Sequence, residues 1–120
     1  MLAALAALAL AAAASPPLPK EVKLVDGTFR TQAGDPLYTY RNDTMVGMSH
    51  CFAACAVAWP PLAAAPQPQP SPDWTLVTRE DGSKQWAYHD KPLYSANIAP
   101  DRVKAATAEG GMWTIAKPQP

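Results

Sequence analysis

Five side chains able to bind metal or exchange electrons crowd into one short segment: Met45, Met48, His50, Cys51 and Cys55. Thioether, imidazole and thiolate together form a soft donor set that suits copper. Met48, His50, Cys51 and Cys55 are therefore the metal candidates. On one regular helix, however, Met48 and His50 cannot point where Cys51 and Cys55 point. Cys51 and Cys55 are the only cysteines in the chain. Their Cys-x-x-x-Cys spacing puts the Cα atoms about 6 Å apart on a helical turn, within bridging range. A disulfide is the preferred reading, worth about 2 kcal/mol in the chain-entropy account of so short a loop. A metal or thiol-redox site and idle thiols are the alternatives. The spacing matches neither a thioredoxin pair nor a haem attachment motif.

Outside that segment the reactive groups are scattered. Asp43, Asp90 and Asp101 follow tyrosines or lie in turns, where a carboxylate ordinarily accepts backbone N–H groups. Acid–base catalysis would need two of them to converge. His89 beside Asp90 reads as an exposed turn histidine. No nucleophile elbow, phosphate loop, zinc spacing or EF-hand loop occurs. The expectation is a non-enzymatic protein without a cofactor, a carboxylate-based hydrolase being the weaker alternative. Ten basic residues balance ten acidic ones, and no basic run offers a nucleic acid the clustered cations it needs. Four Trp and four Tyr could line a ligand groove, but rings of this kind more often form the core of a small β domain.

The elements that must position these residues follow from pattern. Residues 1–14 are wholly Met, Leu and Ala and end in Ala12-Ala13-Ala14, which reads as a secretory signal and its cleavage site. Residues 15–21 form a proline-rich stem. Asp26-Gly27 turns the chain between Val22 and Arg30, and a short strand ends at Leu37–Tyr40. Ser49 is placed to cap a helix from His50 to about Ala58, with Cys51, Phe52, Cys55 and Trp59 along one face. Pro60 ends it. Residues 63–72 form a proline-spaced linker expected to stay exposed and semi-extended. Trp74–Arg79, Lys84–His89 and Leu93–Ser95 then read as a three-stranded antiparallel meander. Pro100–Ala108 suggests a helical turn, and Met112–Ala116 a closing strand. No stretch reaches the roughly 18 apolar residues of a membrane span.

A duplication runs through this order. Gly27-Thr28-Phe29 to Pro36-Leu37-Tyr38 is echoed by Gly82-Ser83-Lys84 to Pro92-Leu93-Tyr94, at an offset of about 55. Trp59 follows the first Pro-Leu-Tyr, and Trp113 the second. The predicted organisation is one β-rich domain over 22–118, made of half-repeats 22–62 and 73–118.

Tyr38-Thr39-Tyr40-Arg41-Asn42-Asp43 resembles the Tyr-x-(Phe/Trp/Tyr)-x-x-Asp signature of a bacterial secreted-repeat and lipoprotein family. Cys51-x-x-x-Cys55-Ala56-x-x-Trp59-Pro60-Pro61-Leu62 is similar to its cysteine segment. Asp81 to Tyr88, with Lys91-Pro92-Leu93-Tyr94, is similar to its second half, and Gly110-Gly111-Met112-Trp113 to its ending. The resemblance singles out Tyr38, Tyr40, Asp43, Trp59, Trp86, Tyr88, Tyr94 and Trp113. It implies no established activity. Two departures stand out: Tyr94-Ser95-Ala96-Asn97 lacks the second aromatic, and no lipid-attachment cysteine is present.

The fold expected is mainly β, a small α+β domain of two pseudo-repeats of antiparallel hairpins with a short Cys-containing helix. The function expected is that of an exported, soluble periplasmic or extracellular module that binds an envelope protein or a small ligand, or serves structurally, as a monomer. The alternative is a periplasmic copper or redox accessory protein using Met48–Cys55.

Overall fold

The computed structural model describes residues 17–120; the signal assigned to residues 1–14 lies outside them. Seven short strands and two short helices make up the described chain. Strand β1 (Val22–Val25) and β2 (Thr28–Thr31) form a hairpin. Its turn residues Asp26 and Gly27 have φ of 49° and 78°, the left-handed pair that a tight two-residue hairpin requires. Strand β3 (Tyr38–Tyr40) does not pair with its sequence neighbours. It pairs with β7 (Trp113–Ile115), at the far end of the chain. Strands β4 (Trp74–Thr78), β5 (Lys84–Tyr88) and β6 (Lys91–Pro92) form the meander. All these pairings are antiparallel.

The meander's third strand is shorter than the sequence implies. Leu93 gives its N–H to Trp86 O at 3.0 Å and then turns away from β5. Tyr94 exchanges two backbone hydrogen bonds with Tyr38, at 2.7 and 2.9 Å. This Tyr38–Tyr94 pair is the pivot of a pseudo-two-fold arrangement. Leu37 N–H reaches Phe29 O, as Leu93 N–H reaches Trp86 O, both at 3.0 Å. Ala116 N–H reaches Leu37 O, as Leu62 N–H reaches Leu93 O, both at 2.8 Å. Phe29 N–H meets Ala116 O at 3.0 Å, and Trp86 N–H meets Leu62 O at 2.9 Å. Each closing segment thus completes the sheet around the other half's Pro-Leu-Tyr.

The aromatic side chains obey the same symmetry. Trp59 and Trp113 stack face to face, centroids 4.0 Å apart. Tyr38 meets Trp59 edge-on at 5.3 Å, and Tyr94 meets Trp113 edge-on at 5.2 Å. These rings and Cys51 make one core. Val22, Phe29, Leu37, Leu62, Trp74, Trp86, Tyr88 and Leu93 make another. The four tryptophans are all buried and belong to these two cores, and Trp74 and Trp86 also edge a concavity of about 380 Å³ beneath the proline-rich segments.

Three local expectations need correction. Helix α1 spans Ala54–Ala58, not His50–Ala58, and no side chain caps it. Cys55 N–H bonds to Phe52 O at 3.0 Å across a turn in which Ala53 has φ 52° and ψ −121°. That turn delays the helix past Cys51 and swings Phe52 outward, so Phe52 leaves the expected apolar stripe and is exposed. Secondly, β5 is buried on both faces, since Gln85 is as buried as Trp86. An alternating Lys-Gln-Trp-Ala-Tyr pattern ordinarily leaves one face of an antiparallel strand in solvent. Thirdly, the linker docks where it begins. Ala64 N–H bonds to Lys84 O, and Ala65 N–H to Glu21 Oε2 at 2.7 Å. Glu21 also accepts the Trp86 indole N–H at 3.1 Å, which stitches the stem to the same place.

Helix α2 (Pro100–Ala106) starts with proline at its first turn, where the missing N–H costs nothing. Asp101 lies in its first turn and Lys104 in its last, both favourable to the helix dipole. Gly111 lets the chain leave: a Cβ there would collide with the Ala106 carbonyl.

Candidate functional site

The signature residue Asp43 is buried, with 2% of its surface exposed. One carboxyl oxygen, Oδ1, takes the His50 backbone N–H at 2.6 Å. The other, Oδ2, takes the Tyr94 phenol O–H, also at 2.6 Å. Ser49 Oγ lies 2.7 Å from the same phenol oxygen. Because the phenol proton goes to Asp43, Ser49 supplies the hydrogen in that second bond. Ser49 Oγ in turn accepts from the Cys51 N–H at 3.1 Å and from Arg79 Nη1 at 2.9 Å. Arg79 also binds Gln85 Oε1 and the Cys51 carbonyl. Gln85 completes the network by giving Nε2–H to Leu93 O at 2.8 Å.

This network joins both halves and fixes the cysteine segment between them. Burial, reinforced by the Asp43 bond and opposed by the Ser49 bond, pushes the Tyr94 hydroxyl far above the ordinary tyrosine range. The aspartate of the first half's signature therefore serves the tyrosine of the second half. At the position two-fold related to Asp43 stands Ala99, and the Tyr38 hydroxyl has no matching carboxyl. The missing second aromatic has a physical counterpart too. Tyr40 stacks on Trp113 at 4.4 Å, whereas its counterpart Ala96 contributes only a methyl group to the same core.

Cys51 and Cys55 are bonded to each other, Cα atoms 5.2 Å apart, and no cysteine is free. The bridge removes both thiolates from the copper donor set. Met45 and Met48 remain on an exposed turn closed by the Met48 N–H to Met45 O bond at 3.2 Å. His50 follows, its Nδ1 3.8 Å from Asp43 Oδ1.

A cleft of about 530 Å³ opens between the β5–β6 turn, β7 and the chain beyond it. Tyr88, His89, Lys91, Ile115, Lys117 and Gln119 are among its lining residues, which include no Asp or Glu. His89 stacks on Tyr88 at 4.1 Å. Its backbone N–H bonds to Asp73 O, and its Nε2 lies 3.0 Å from Asp73 Oδ1. His89 and Asp90 have φ of 47° and 67°, the geometry that glycine relieves at Gly27 but that no glycine relieves here.

The residues singled out from the sequence thus separate. Tyr38, Tyr40, Trp59, Tyr94 and Trp113 surround the disulfide, while Trp86 and Tyr88 belong to the other core. Asp43 is in the buried network, Asp90 in the β5–β6 turn and Asp101 on α2. Sequence reasoning missed Arg79, Gln85 and the bridging role of Ser49. Gln85 sits in an ordinary alternating strand, and nothing local marks it as buried. Lys91 and Lys117 come together only through the β3–β7 pairing.

Residues 22–63 match the sequence model of a family described as a secreted repeat of unknown function. The match bears out the resemblance over that stretch. It runs from the start of β1 to the segment that pairs with Leu93. No curated protein and no solved structure matches the chain. Among the described residues, no helix is long and apolar enough to cross a membrane.

Proposed function

We propose that the protein is an exported, non-enzymatic binding module of the cell envelope whose ligand is a small organic anion. The observation that carries this reading is the cleft. Lys91 and Lys117 contribute ammonium groups to its lining, Tyr88 and Ile115 contribute apolar surface, and no Asp or Glu is among the lining residues; His89, also in the lining, is paired with the Asp73 carboxylate at 3.0 Å. Its volume is within the range that accommodates small ligands. The strained His89–Asp90 turn supports the same site, because unrelieved left-handed residues tend to persist where they position a group. Export is supported by the secreted family that residues 22–63 match. The non-enzymatic part rests on the signature polar groups, Asp43, Ser49 and Tyr94, being engaged with one another and with backbone.

Titration with benzoate, and with benzyl alcohol as its uncharged counterpart, tests the reading by NMR shifts at Lys91, Thr114 and Ile115. Benzoate should bind and be recovered unchanged. A Lys91→Gln, Lys117→Gln variant should bind it at least about tenfold more weakly, the loss expected for removing charged hydrogen-bond donors. Equal binding of the alcohol, or an unchanged affinity in the variant, would remove the anion reading.

A further inference from the structure

We infer that the Met45–His50 turn is a site for monovalent copper, held by the two thioether sulfurs and the His50 imidazole. The inference is independent of the cleft. It rests on what the fold does to three neutral, soft donors.

Met45 and Met48 occupy the first and last positions of a hydrogen-bonded turn, which keeps their Cα atoms within about 7 Å. Gly47, with φ 79°, is what lets the chain reverse there. Met45 and Met48 are 53% and 45% exposed, although methionine is usually among the more buried residues. They are therefore available to an ion and are not spent on packing. Val46, at the tip, is 73% exposed.

Both ends of the turn are pinned. Asp43 holds the His50 N–H on one side, and Ser49 is held by Tyr94, Arg79 and Cys51 on the other. Asp43 Oδ1 lies 3.8 Å from the imidazole Nδ1, near it but beyond hydrogen-bond length. Among the described residues Nε2 makes no hydrogen bond, and the His50 side chain is 36% exposed.

The donor chemistry selects the ion. Two thioethers and an imidazole are soft to intermediate and carry no charge, which suits copper(I) and disfavours calcium or magnesium, whose ligands are oxygens. Asp43 cannot readily supply such oxygens, because both are already engaged. A site without thiolate is also consistent with an exported protein whose two cysteines are bonded to each other. Binding displaces only solvent from the ion, and no electron transfer is involved.

The test uses the full oxidised protein without reductant for its disulfide. Anaerobic competition for copper(I) against bicinchoninate should show one ion per chain. Met45→Leu and Met48→Leu should each weaken it by about tenfold or more, as the loss of part of a metal site does. Silver(I), a redox-inert stand-in, should shift the ε-methyl resonances of Met45 and Met48 and leave that of Met112 in place. Both substitutions are at exposed positions, so unchanged melting should confirm that the variants are folded. Failure to retain copper(I), an undiminished affinity in the Met45→Leu, Met48→Leu double variant, or a silver shift confined to Met112 would each overturn the assignment.

Discussion

Tyr94→Phe removes one oxygen atom from the centre of the molecule, and its cost can be worked from the surroundings. The tyrosine is wholly buried, and its hydroxyl bridges Asp43 Oδ2 at 2.6 Å and Ser49 Oγ at 2.7 Å. A hydrogen bond to a charged group contributes about 1.5–3 kcal/mol, and a buried polar atom left without a partner costs about as much again. Asp43 Oδ1 keeps its bond from His50 N–H and Ser49 keeps those from Arg79 and Cys51, but the buried Oδ2 loses the hydroxyl that bonds it. The expected loss is therefore about 2–4 kcal/mol, a large part of the net stability of a small domain. In a thermal melt that is a fall of the order of 10 °C or more. A double-mutant cycle with Asp43→Asn isolates the bond: the sum of the two single losses should exceed the loss in the double variant by about 1 kcal/mol or more. Chemical denaturation of the four proteins measures it. Strict additivity, or a Tyr94→Phe variant as stable as the parent, would refute the view that Asp43 acts by holding Tyr94.

Further expectations follow from the same geometry. Ala53→Gly should stabilise by about 1 kcal/mol in denaturant titration, because relief of the φ 52° strain outweighs glycine's extra unfolded freedom. Trp86→Ala should destabilise by about 3–5 kcal/mol in the same assay, since Trp86 is 2% exposed in the core with Phe29, Leu37 and Leu93. Stability should fall in alkali. Burial raises the Tyr94 and Tyr38 hydroxyls above their unfolded value, so their contribution is full below about pH 10 and is lost as pH rises beyond it; tyrosinate absorbance and the fluorescence melt should then change together. Cutting the chain within the proline-rich linker should leave two fragments that are unfolded apart and regain the parent circular dichroism when mixed.

What the sequence made legible was local. Asp26-Gly27 marks a hairpin because only a few residues tolerate that turn, and the strand after it follows from alternation. The disulfide was legible because export and a total of two cysteines leave one intramolecular pairing. The duplicated Pro-Leu-Tyr was visible as text, yet its consequence was not. Nothing near Tyr38 states that its backbone partner is Tyr94, because that choice is made by stacking Trp59 on Trp113 across the whole chain. The helix start was misplaced for a similar reason. Ser49 has the side chain of a cap, but Tyr94 and Arg79, distant in sequence, claim its oxygen. The cleft was invisible, since Lys91 and Lys117 belong to different elements.

The pairing pattern also changes what the repeat means physically. A unit such as residues 22–63 contains Phe29, Leu37 and Leu62, but the Phe29 N–H and the Leu37 carbonyl pair with Ala116, and Leu62 pairs with Leu93 and Trp86, all of the other half. Alone, it would leave those N–H and C=O groups unpaired beside exposed apolar side chains, which is costly. Two units solve the problem by exchange, each closing segment completing the other. Exchange needs only one copy of the buried polar clamp, since fixing Tyr94 against Asp43 holds both halves at the pivot. That accounts for how the second half can carry Ala96 and Ala99 where the first has Tyr40 and Asp43. It also leaves the outer turns, Met45–Met48 and His89–Asp90, free of the demands of the core. Chemistry specific to this chain is therefore best sought at those two turns.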